Sequence, residues 1–587
     1  MTTGPYSRAP RSLVALGVAA TLSLLSEAGW ALAPPKSTLI DAGQWAIALL
    51  YAVLLRRAAL ESSETSLSRL RVLNIIRMTL AIGTGCALVA CLPPVQRVLP
   101  HGPSALLDVA STIVAVSVAL RSIVDLAAVH DHLLARAPRV ELFLVGGFLA
   151  LVGVGTALLM MPRMSTGARI PFIDALFTST SASCVTGLGV LDTGADLSLR
   201  GQVVLATLFQ VGGLGIVTFI AFGSVLAGRQ FSVQHLVNMR TLVQVETMAG
   251  VRKQVMFLVG SALCIEALGA LALYVALPGD AALSGSRAWW SVFHSISAFC
   301  NAGFSLEHDS LVGLRSAFGV NAAVIGLFVV GGLGAPVMRE LVRLTHEHAR
   351  RHLQRNAQPR YIPPMTIQAR LALVPTLVLL PLGALVFWLM ERHGALAGMP
   401  SSEAFVASVF QSATPRTAGF ATLDFGAFSD ATLLFLTGLM VVGASPMSTG
   451  GGIKTATIMV LLITIRAAAT GREEVEYRGR VIARAAVRTA LSVLLIYIAS
   501  AALGVLALSL TDAQVPLRDR IFETVSARST TGLSTGVTAT WSTAGKLILC
   551  GLMFAGRIGP ATLMLGAFRP TRQRARFRYP TAPVILG

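Results

Sequence analysis

Four glycines, Gly187, Gly303, Gly419 and Gly532, recur at nearly equal intervals along the chain, each inside a polar run that follows a short half-apolar stretch. The stretches read PFIDALFTSTSASCVTGLGV (171–190), SVFHSISAFCNAGFSL (291–306), EAFVASVFQSATPRTAGFATLD (403–424) and RIFETVSARSTTGLSTG (520–536). The residues just before the glycines are Val185 and Thr186, Asn301 and Ala302, Thr417 and Ala418, and Thr530 and Thr531; none is acidic. Such a run offers main-chain carbonyl oxygens, and glycine permits the backbone conformations that turn them inward. A cation leaving water needs oxygen ligands already in position. Without carboxylates, the set suits a large monovalent ion better than calcium. One copy would be an ordinary turn, but four in register imply a single site built from four loops.

The elements that must position these loops are apolar. Of 587 residues, 54% are hydrophobic and 13% charged, and the mean hydropathy is +0.71, more apolar surface than a soluble core uses. Apolar stretches long enough to cross a bilayer run near 12–32, 39–55, 73–92, 106–128, 140–161, 201–226, 254–277, 317–338, 369–390, 432–465 with a break, 485–510 and 543–567. The stretches before the glycines hold only about 12 helical residues, roughly 18 Å at 1.5 Å each, and cannot cross. They must enter and return, which is tolerated where the returning backbone is buried in protein or lines water. Their C-terminal ends, with partial negative charge, face the loops and favour a cation.

The fold class that follows is an all-α polytopic membrane protein. It has four parallel repeats of span, re-entrant pore helix and span around one pore, with about four extra N-terminal helices. The divisions are 1–135 for the extra helices, 136–235, 236–345, 346–475 and 476–570 for the repeats, and 571–587 for a basic tail. The formal charge of +19 does not point to nucleic acid, because its placement is one-sided. Arg343, Arg350, Arg351, Arg355, Arg360 and Arg370 share one loop; Arg472, Arg478, Arg480 and Arg484 share another; Arg569, Arg572, Arg574, Arg576 and Arg578 fill the tail. Arg56, Arg57, Arg69 and Arg71 fall on the same face. This bias places that face and the C-terminus in the cytoplasm of a multi-pass protein of the cell inner (plasma) membrane.

Six cysteines, Cys86, Cys91, Cys184, Cys264, Cys300 and Cys550, lie in or beside apolar segments without CxxC spacing, so neither a disulfide framework nor a zinc site follows. The segment 1–33 imitates a signal peptide, but Pro34 after ALA favours a retained helix. Arg121 and Asp125 pair at i, i+4 rather than forming a voltage sensor. Trp289 and Trp290 are placed as interfacial anchors, and His294 stands alone on its short helix. No cluster of carboxylates, His or nucleophile suggests an enzyme. Glu266, alone in an apolar helix, is either a buried helix-to-helix hydrogen bond or the coupling site of a proton- or Na⁺-coupled symporter.

A second set of glycines interrupts the spans after each loop: QVGGLG (210–215), VGGLGAP (330–336), GASPMSTGGG (443–452) and AGRIGP (555–560). The third continues as GASPMSTGGGIKT, where Pro446 removes a helical hydrogen bond and Gly450, Gly451 and Gly452 ease unwinding. A phosphate-binding loop is excluded because Ile453 separates Gly452 from Lys454. Lys454 can hold one position of this loop or bind its carbonyls. Arg557, permanently charged, must face water, the pore axis or an ion-pair partner at this depth.

CVTGLGVLDTG, SISAFCNAGF, QSATPRTAGF, SARSTTGLSTG, GASPMSTGGGIKT and GRIGP together resemble the Trk/Ktr/HKT superfamily of potassium transporters, with bacterial Trk and Ktr pore subunits the nearest in kind, over roughly residues 135–570. The resemblance implies uptake of K⁺, with Na⁺ also admissible, at the filter residues named above. It implies that 443–455 is an intramembrane gate loop with Gly450, Gly451, Gly452 and Lys454, and that Arg557 lies near the axis beside it. It further implies a homodimer in membrane lipid and a separate cytosolic nucleotide-binding subunit of the RCK type; this chain has no GxGxxG fingerprint, Leu158 standing where the third glycine belongs. No cofactor besides the transported ion is implied. Cys300, where a polar amide is usual, and Arg528, where an apolar residue is expected, depart from the pattern.

Overall fold

The computed structural model describes residues 140–215, 218, 248–279, 281, 283–353 and 364–559. The extra helices expected in 1–135, the Arg121–Asp125 pair, Arg355, Arg360 and the tail at 571–587 lie outside the described residues.

The elements follow one order four times: α1 (Val140–Leu159), α2 (Phe172–Ser183) and α3 (Leu199–Leu214); α4 (Met248–Ala276), α5 (Arg287–Cys300), α6 (Phe318–Leu333) and α7 (Ala335–Leu353); α8 (Ile367–Glu391), α9 (Ser401–Ala413), α10 (Asp430–Val441) and α11 (Thr455–Ala469); then, after a small hairpin of β1 (Glu476–Tyr477) and β2 (Arg480–Val481), α12 (Arg484–Thr511), α13 (Leu517–Ser529) and α14 (Thr543–Ile558). The short helices start on local signals. Pro171, Pro400 and Pro516 precede α2, α9 and α13, and each is followed three residues later by Asp174, Glu403 or Asp519 in the first turn, where a carboxylate meets the positive end of the helix. α5 instead uses Ser286, whose hydroxyl accepts from the Trp289 amide.

Lys253–Ala276, Ile367–Glu391 and Arg484–Thr511 are long and apolar enough to cross a membrane among the described residues. Their outer faces carry exposed Leu271, Leu377, Leu382, Leu495, Leu503 and Leu510. The continuous span expected over 317–338 is corrected. Its helix stops at Leu333, and α7 leaves at 106°. Gly334 makes the corner with φ +76°, and a Cβ there would lie 2.5 Å from the Pro446 carbonyl oxygen. α3 and α14 likewise stop before Gly215 and Gly559, both at positive φ.

α2, α5 and α13 pack on the first and second helices of their own units and α9 on the first of its own, and each also packs on the second helix of the unit before: α2 on α14, α5 on α3, α9 on α6 and α13 on α10. The order closes on itself. A recurrent contact fixes the depth of three short helices. Ser179 donates to the Val152 carbonyl at 2.8 Å, Ser295 to Glu266 at 2.6 Å and Ser412 to Leu380 at 2.7 Å, and three residues further on Gly155, Gly269 and Gly383 leave room for those hydroxyls. Polar side-chain pairs bridge the four seams: a His308–Asp192 hydrogen bond and the ion pairs Arg315–Glu403, Arg518–Asp430 and Lys546–Asp174, at 2.7 to 2.9 Å. Exposed pairs contribute ~0–1 kcal/mol each, so the packing of the short helices carries the closure.

Gly212, Gly331 and Gly556 complete it from the other side, each abutting the last carbonyls of a short helix, those of Ser183, Phe299 and Arg528. A Cβ on Gly331 would lie 2.0 Å from the Phe299 oxygen, whereas Gly326 on the same helix has nothing within 4 Å. Gly331→Ala is expected to destabilise the detergent-purified protein by about 1–3 kcal/mol, and Gly326→Ala to leave Tm level or raised. Equal Tm values for the two variants would contradict this packing.

Candidate functional site

At the ends of α2, α5 and α13 the backbone closes with Schellman-type caps. The amide of Thr186 donates to Ser181, that of Ala302 to Ser297 and that of Thr531 to Ser526, at 2.7 to 2.8 Å. The residue before each of these takes the left-handed conformation that such a cap usually gives to glycine. Val185, Asn301 and Thr530 have φ of 58°, 59° and 51°, and Thr417 in the third loop has 74°. α9 ends earlier, at Ala413, with Thr414 still in helical backbone, because Pro415 has no amide to continue the ladder. Its cap is accordingly different, with the Ala418 amide donating to Thr414 at 3.0 Å.

The second residue of each pair then leads into a glycine, again at positive φ: 93°, 70°, 81° and 87° for Gly187, Gly303, Gly419 and Gly532. Four contacts join these glycines in a ring. A Cβ on Gly187 would lie 2.4 Å from the Ala302 oxygen, on Gly303 3.0 Å from the Ala418 oxygen, on Gly419 2.5 Å from the Thr531 oxygen, and on Gly532 2.0 Å from the Thr186 oxygen. Eight of the twelve residues that the sequence singles out for this site are therefore brought together, one loop against the next, and the other four, Val185, Asn301, Thr417 and Thr530, directly precede them in the chain. Side-chain hydroxyls hold the loops from outside: the Ser181 hydroxyl accepts from the Gly187 amide at 3.1 Å, and Ser297 and Thr414 donate to the Phe304 and Phe420 carbonyls at 2.8 and 2.6 Å. The hydroxyls of Thr186, Thr530 and Thr531 are buried without a partner among the described residues.

The interrupted stretch between α10 and α11 packs against this ring. Its base is closed by a parallel bridge between Val442 and Ile453. Within it, Thr449 donates to the Phe299 carbonyl and the Asn301 side chain at 3.3 and 3.2 Å, and the Ser445 amide donates to Gly332 at 3.0 Å. A Cβ on Gly450 would meet the Thr417 hydroxyl, and one on Gly451 the Thr530 hydroxyl. Lys454 donates to the Gly450 carbonyl at 2.5 Å. Arg557 reaches across from α14 and donates to the carbonyls of Thr449, Gly212 and Gly213. Bonding main-chain oxygens, not a carboxylate, keeps its charge uncompensated beside the ring, and no Arg557 ion pair occurs among the described residues.

Arg528 does not face the ring. Its Nε donates to Ser500 at 2.7 Å and its guanidinium lies 5.1 Å from the Tyr497 ring centroid, both on α12. Cys300 also points away, donating to Gln210 at 3.1 Å, while Gln210 donates to both carboxylate oxygens of Glu266 at 2.9 and 3.0 Å. Glu266 is thus a buried helix-to-helix hydrogen bond. Two expectations need correction. Trp290 is no interfacial anchor but fully buried, bonded to Glu307 at 3.0 Å and stacked 3.8 Å over His294. His294 is not isolated: it bonds the Trp290 carbonyl at 2.9 Å and the Ser305 hydroxyl at 3.0 Å, because the buried ring must satisfy both nitrogens.

Sequence reasoning missed Gln210, Thr449 and Arg416 as contributors. Arg416, buried three residues before Gly419, donates to Thr376 at 2.9 Å. The available signal was a cation inside an otherwise apolar re-entrant stretch, which needs a partner.

A family model described as TrkH, cation transport protein, matches residues 126–576. The Ktr system potassium uptake protein B of Bacillus subtilis is 35% identical over 449 residues, covering 76% of this chain and 96% of that protein. The potassium/sodium uptake protein NtpJ of Enterococcus hirae is 34% identical over 452 residues, covering 76% and 96%. The crystal structure of the potassium transporter TrkH from Vibrio parahaemolyticus superposes with a TM-score of 0.59 at 17% identity, covering 86% of this chain and 98% of that one, and so shares the fold. With apolar spanning helices in place and a family model matched over most of its length, this chain belongs to the TrkH family of membrane cation transport proteins.

Proposed function

We propose that the chain takes up K⁺ through a single pore on the axis of four parallel repeats, with the carbonyls of Thr186, Ala302, Ala418 and Thr531 as the core of the filter. Val185, Asn301, Thr417 and Thr530 supply the next layer, and Gly187, Gly303, Gly419 and Gly532 give the loops their close approach. The observation that carries this reading is the closed order of contacts from Gly187 round to Gly532 and Thr186. It gives four neutral oxygens around one axis, a ligand set suited to a weakly hydrated monovalent ion. Relatives named for potassium and for potassium/sodium uptake support K⁺ as the principal ion with Na⁺ as a second cargo.

In this reading the stretch with Gly450, Gly451 and Gly452 is a gate held closed by Lys454 and Arg557. The loop touches three filter loops directly and the first unit through Arg557, so an ion leaving the ring meets it first. A positive guanidinium there adds an electrostatic barrier to a cation. The membrane potential drives inward movement, worth about 2.3 kcal/mol per unit charge per 100 mV. Coupled symport through Glu266 is the other reading; both carboxylate oxygens being bonded to Gln210 supports the pore instead. The basic loops face the cytoplasm, the molecule works as a homodimer, and its nucleotide-binding regulator is a second chain, in keeping with a relative named as one protein of a Ktr system.

Flux into voltage-clamped proteoliposomes tests the function: uptake that follows voltage and favours K⁺ is expected, and uptake that follows a pH gradient at fixed voltage would favour symport. Gly303 holds φ +70° with the Gly419 Cα 2.9 Å from a built Cβ. Gly303→Ser is therefore expected to lower the K⁺/Na⁺ permeability ratio by at least about tenfold, about 1.4 kcal/mol in relative barrier; an unchanged ratio contradicts the filter. Deleting Gly450 to Gly452 is expected to raise flux, and equal or lower flux in folded protein counts against the gate.

A further inference from the structure

The position three residues before each filter glycine is occupied by Cys184, Cys300, Arg416 and Ser529. All four side chains are buried; in two of them the polar atom bonds the first helix of its own unit, and in a third, Cys300, it is linked to that helix through Gln210 of the unit before. Ser529 bonds Tyr497 of α12 at 2.5 Å. Arg416 donates to Thr376 of α8 at 2.9 Å. Cys300 donates to Gln210 at 3.1 Å, and Gln210 is clamped by both oxygens of Glu266 on α4. Cys300 is also wedged from the side, since a Cβ on Gly213 would lie 2.9 Å from its sulfur. In the first unit Cys184 sits in an apolar cluster with Phe177, Leu549 and Met553.

This position directly precedes the residue in left-handed conformation, Val185, Asn301, Thr417 or Thr530. A non-glycine residue held there is strained, and it persists only where its surroundings over-determine it. The polar links act on the chain one residue before that strain. They are also unequal: a thiol–amide–carboxylate relay, a guanidinium–hydroxyl bond, a hydroxyl–phenol bond and an apolar seat.

We infer that Glu266 with Gln210, Thr376 and Tyr497 are positioning residues that brace the filter loops from behind and set how tightly the ring discriminates K⁺ from Na⁺. The inference rests on the filter reading above. The three braces differ in chemistry, yet each links the same loop position to the first helix of its unit, two directly and the second unit's through Gln210 of the neighbouring α3. General packing would not require a polar bond at that place three times. Removing a brace leaves the oxygens in the site but loosens the backbone that spaces them, so the smaller ion gains relative to the larger.

The test uses the full-length protein purified in detergent, with K⁺ and Na⁺ affinities read from ion-dependent shifts in Tm and the ion-free Tm recorded alongside. Tyr497→Phe, Thr376→Val and Cys300→Ala each remove the brace's polar bond without adding a heavy atom, Thr376→Val also losing the hydroxyl bond to the Ala372 carbonyl, and each is expected to lower the K⁺/Na⁺ affinity ratio about three- to tenfold. Cys300→Ser keeps a donor towards Gln210 and is expected to restore most of the ratio. If all three variants keep the wild-type ratio, or only the ion-free Tm falls, the bonds are packing alone and the inference is overturned. If the wild-type protein binds neither ion, the filter reading fails and this inference falls with it; K⁺ binding by the wild type with unchanged variant ratios sinks the inference alone.

Discussion

A side chain on Gly187, Gly303, Gly419 or Gly532 would collide with the main chain of the next loop, and that closeness organises most of what surrounds it. Loops can approach so nearly only if the helices carrying them end at one depth. Ser179, Ser295 and Ser412 set that depth by bonding carbonyls on neighbouring long helices, beside glycines that make room for them. Gly212, Gly331 and Gly556 then let the second helices press against the last turn of the short ones. Both the outer and inner supports of the ring therefore depend on missing side chains, and a Cβ at several of these places would meet backbone, which cannot swing aside.

Placing charge around such a ring is the second problem, because the proposed cation pathway through it tolerates few fixed cations nearby. Arg416 and Arg528 are buried close to the loops but turned towards α8 and α12, where Thr376, Ser500 and the Tyr497 ring receive them. Lys454 and Arg557, by contrast, are directed at the carbonyls of the interrupted stretch and of the first unit. A charged group at membrane depth is retained where it has water, a partner or a task. The proposed gate gives these two such a task, and its glycines allow the stretch to move once their bonds break.

Much of this was legible in the sequence because the pattern is carried by glycine spacing and apolar length, both local properties. The near-constant interval between Gly187, Gly303, Gly419 and Gly532 located all four loops, and their closure into a ring followed the chain order. What was not legible depended on tertiary partners. The stretch at 317–338 reads as one apolar run, and only the Pro446 carbonyl packed against Gly334 marks the 106° corner. Trp290 and His294 read as an anchor and an isolated titratable group, yet they are buried and stack on one another, and their partners, Glu307 and Ser305, come from the following loop. Arg528 could be recognised as out of place, but its direction could not, since Ser500 and Tyr497 belong to the preceding long helix, α12, and meet it only once α13 has folded back.

The most direct measurement of the central claim is anomalous diffraction from crystals soaked in Tl⁺, a heavy stand-in for K⁺, with a Na⁺ competition series. The account predicts a peak on the axis bounded by the carbonyls of Thr186, Ala302, Ala418 and Thr531, displaced by K⁺ at far lower concentration than by Na⁺. Ordered crystals with no peak there, or with Tl⁺ held elsewhere and displaced equally by both ions, would contradict it.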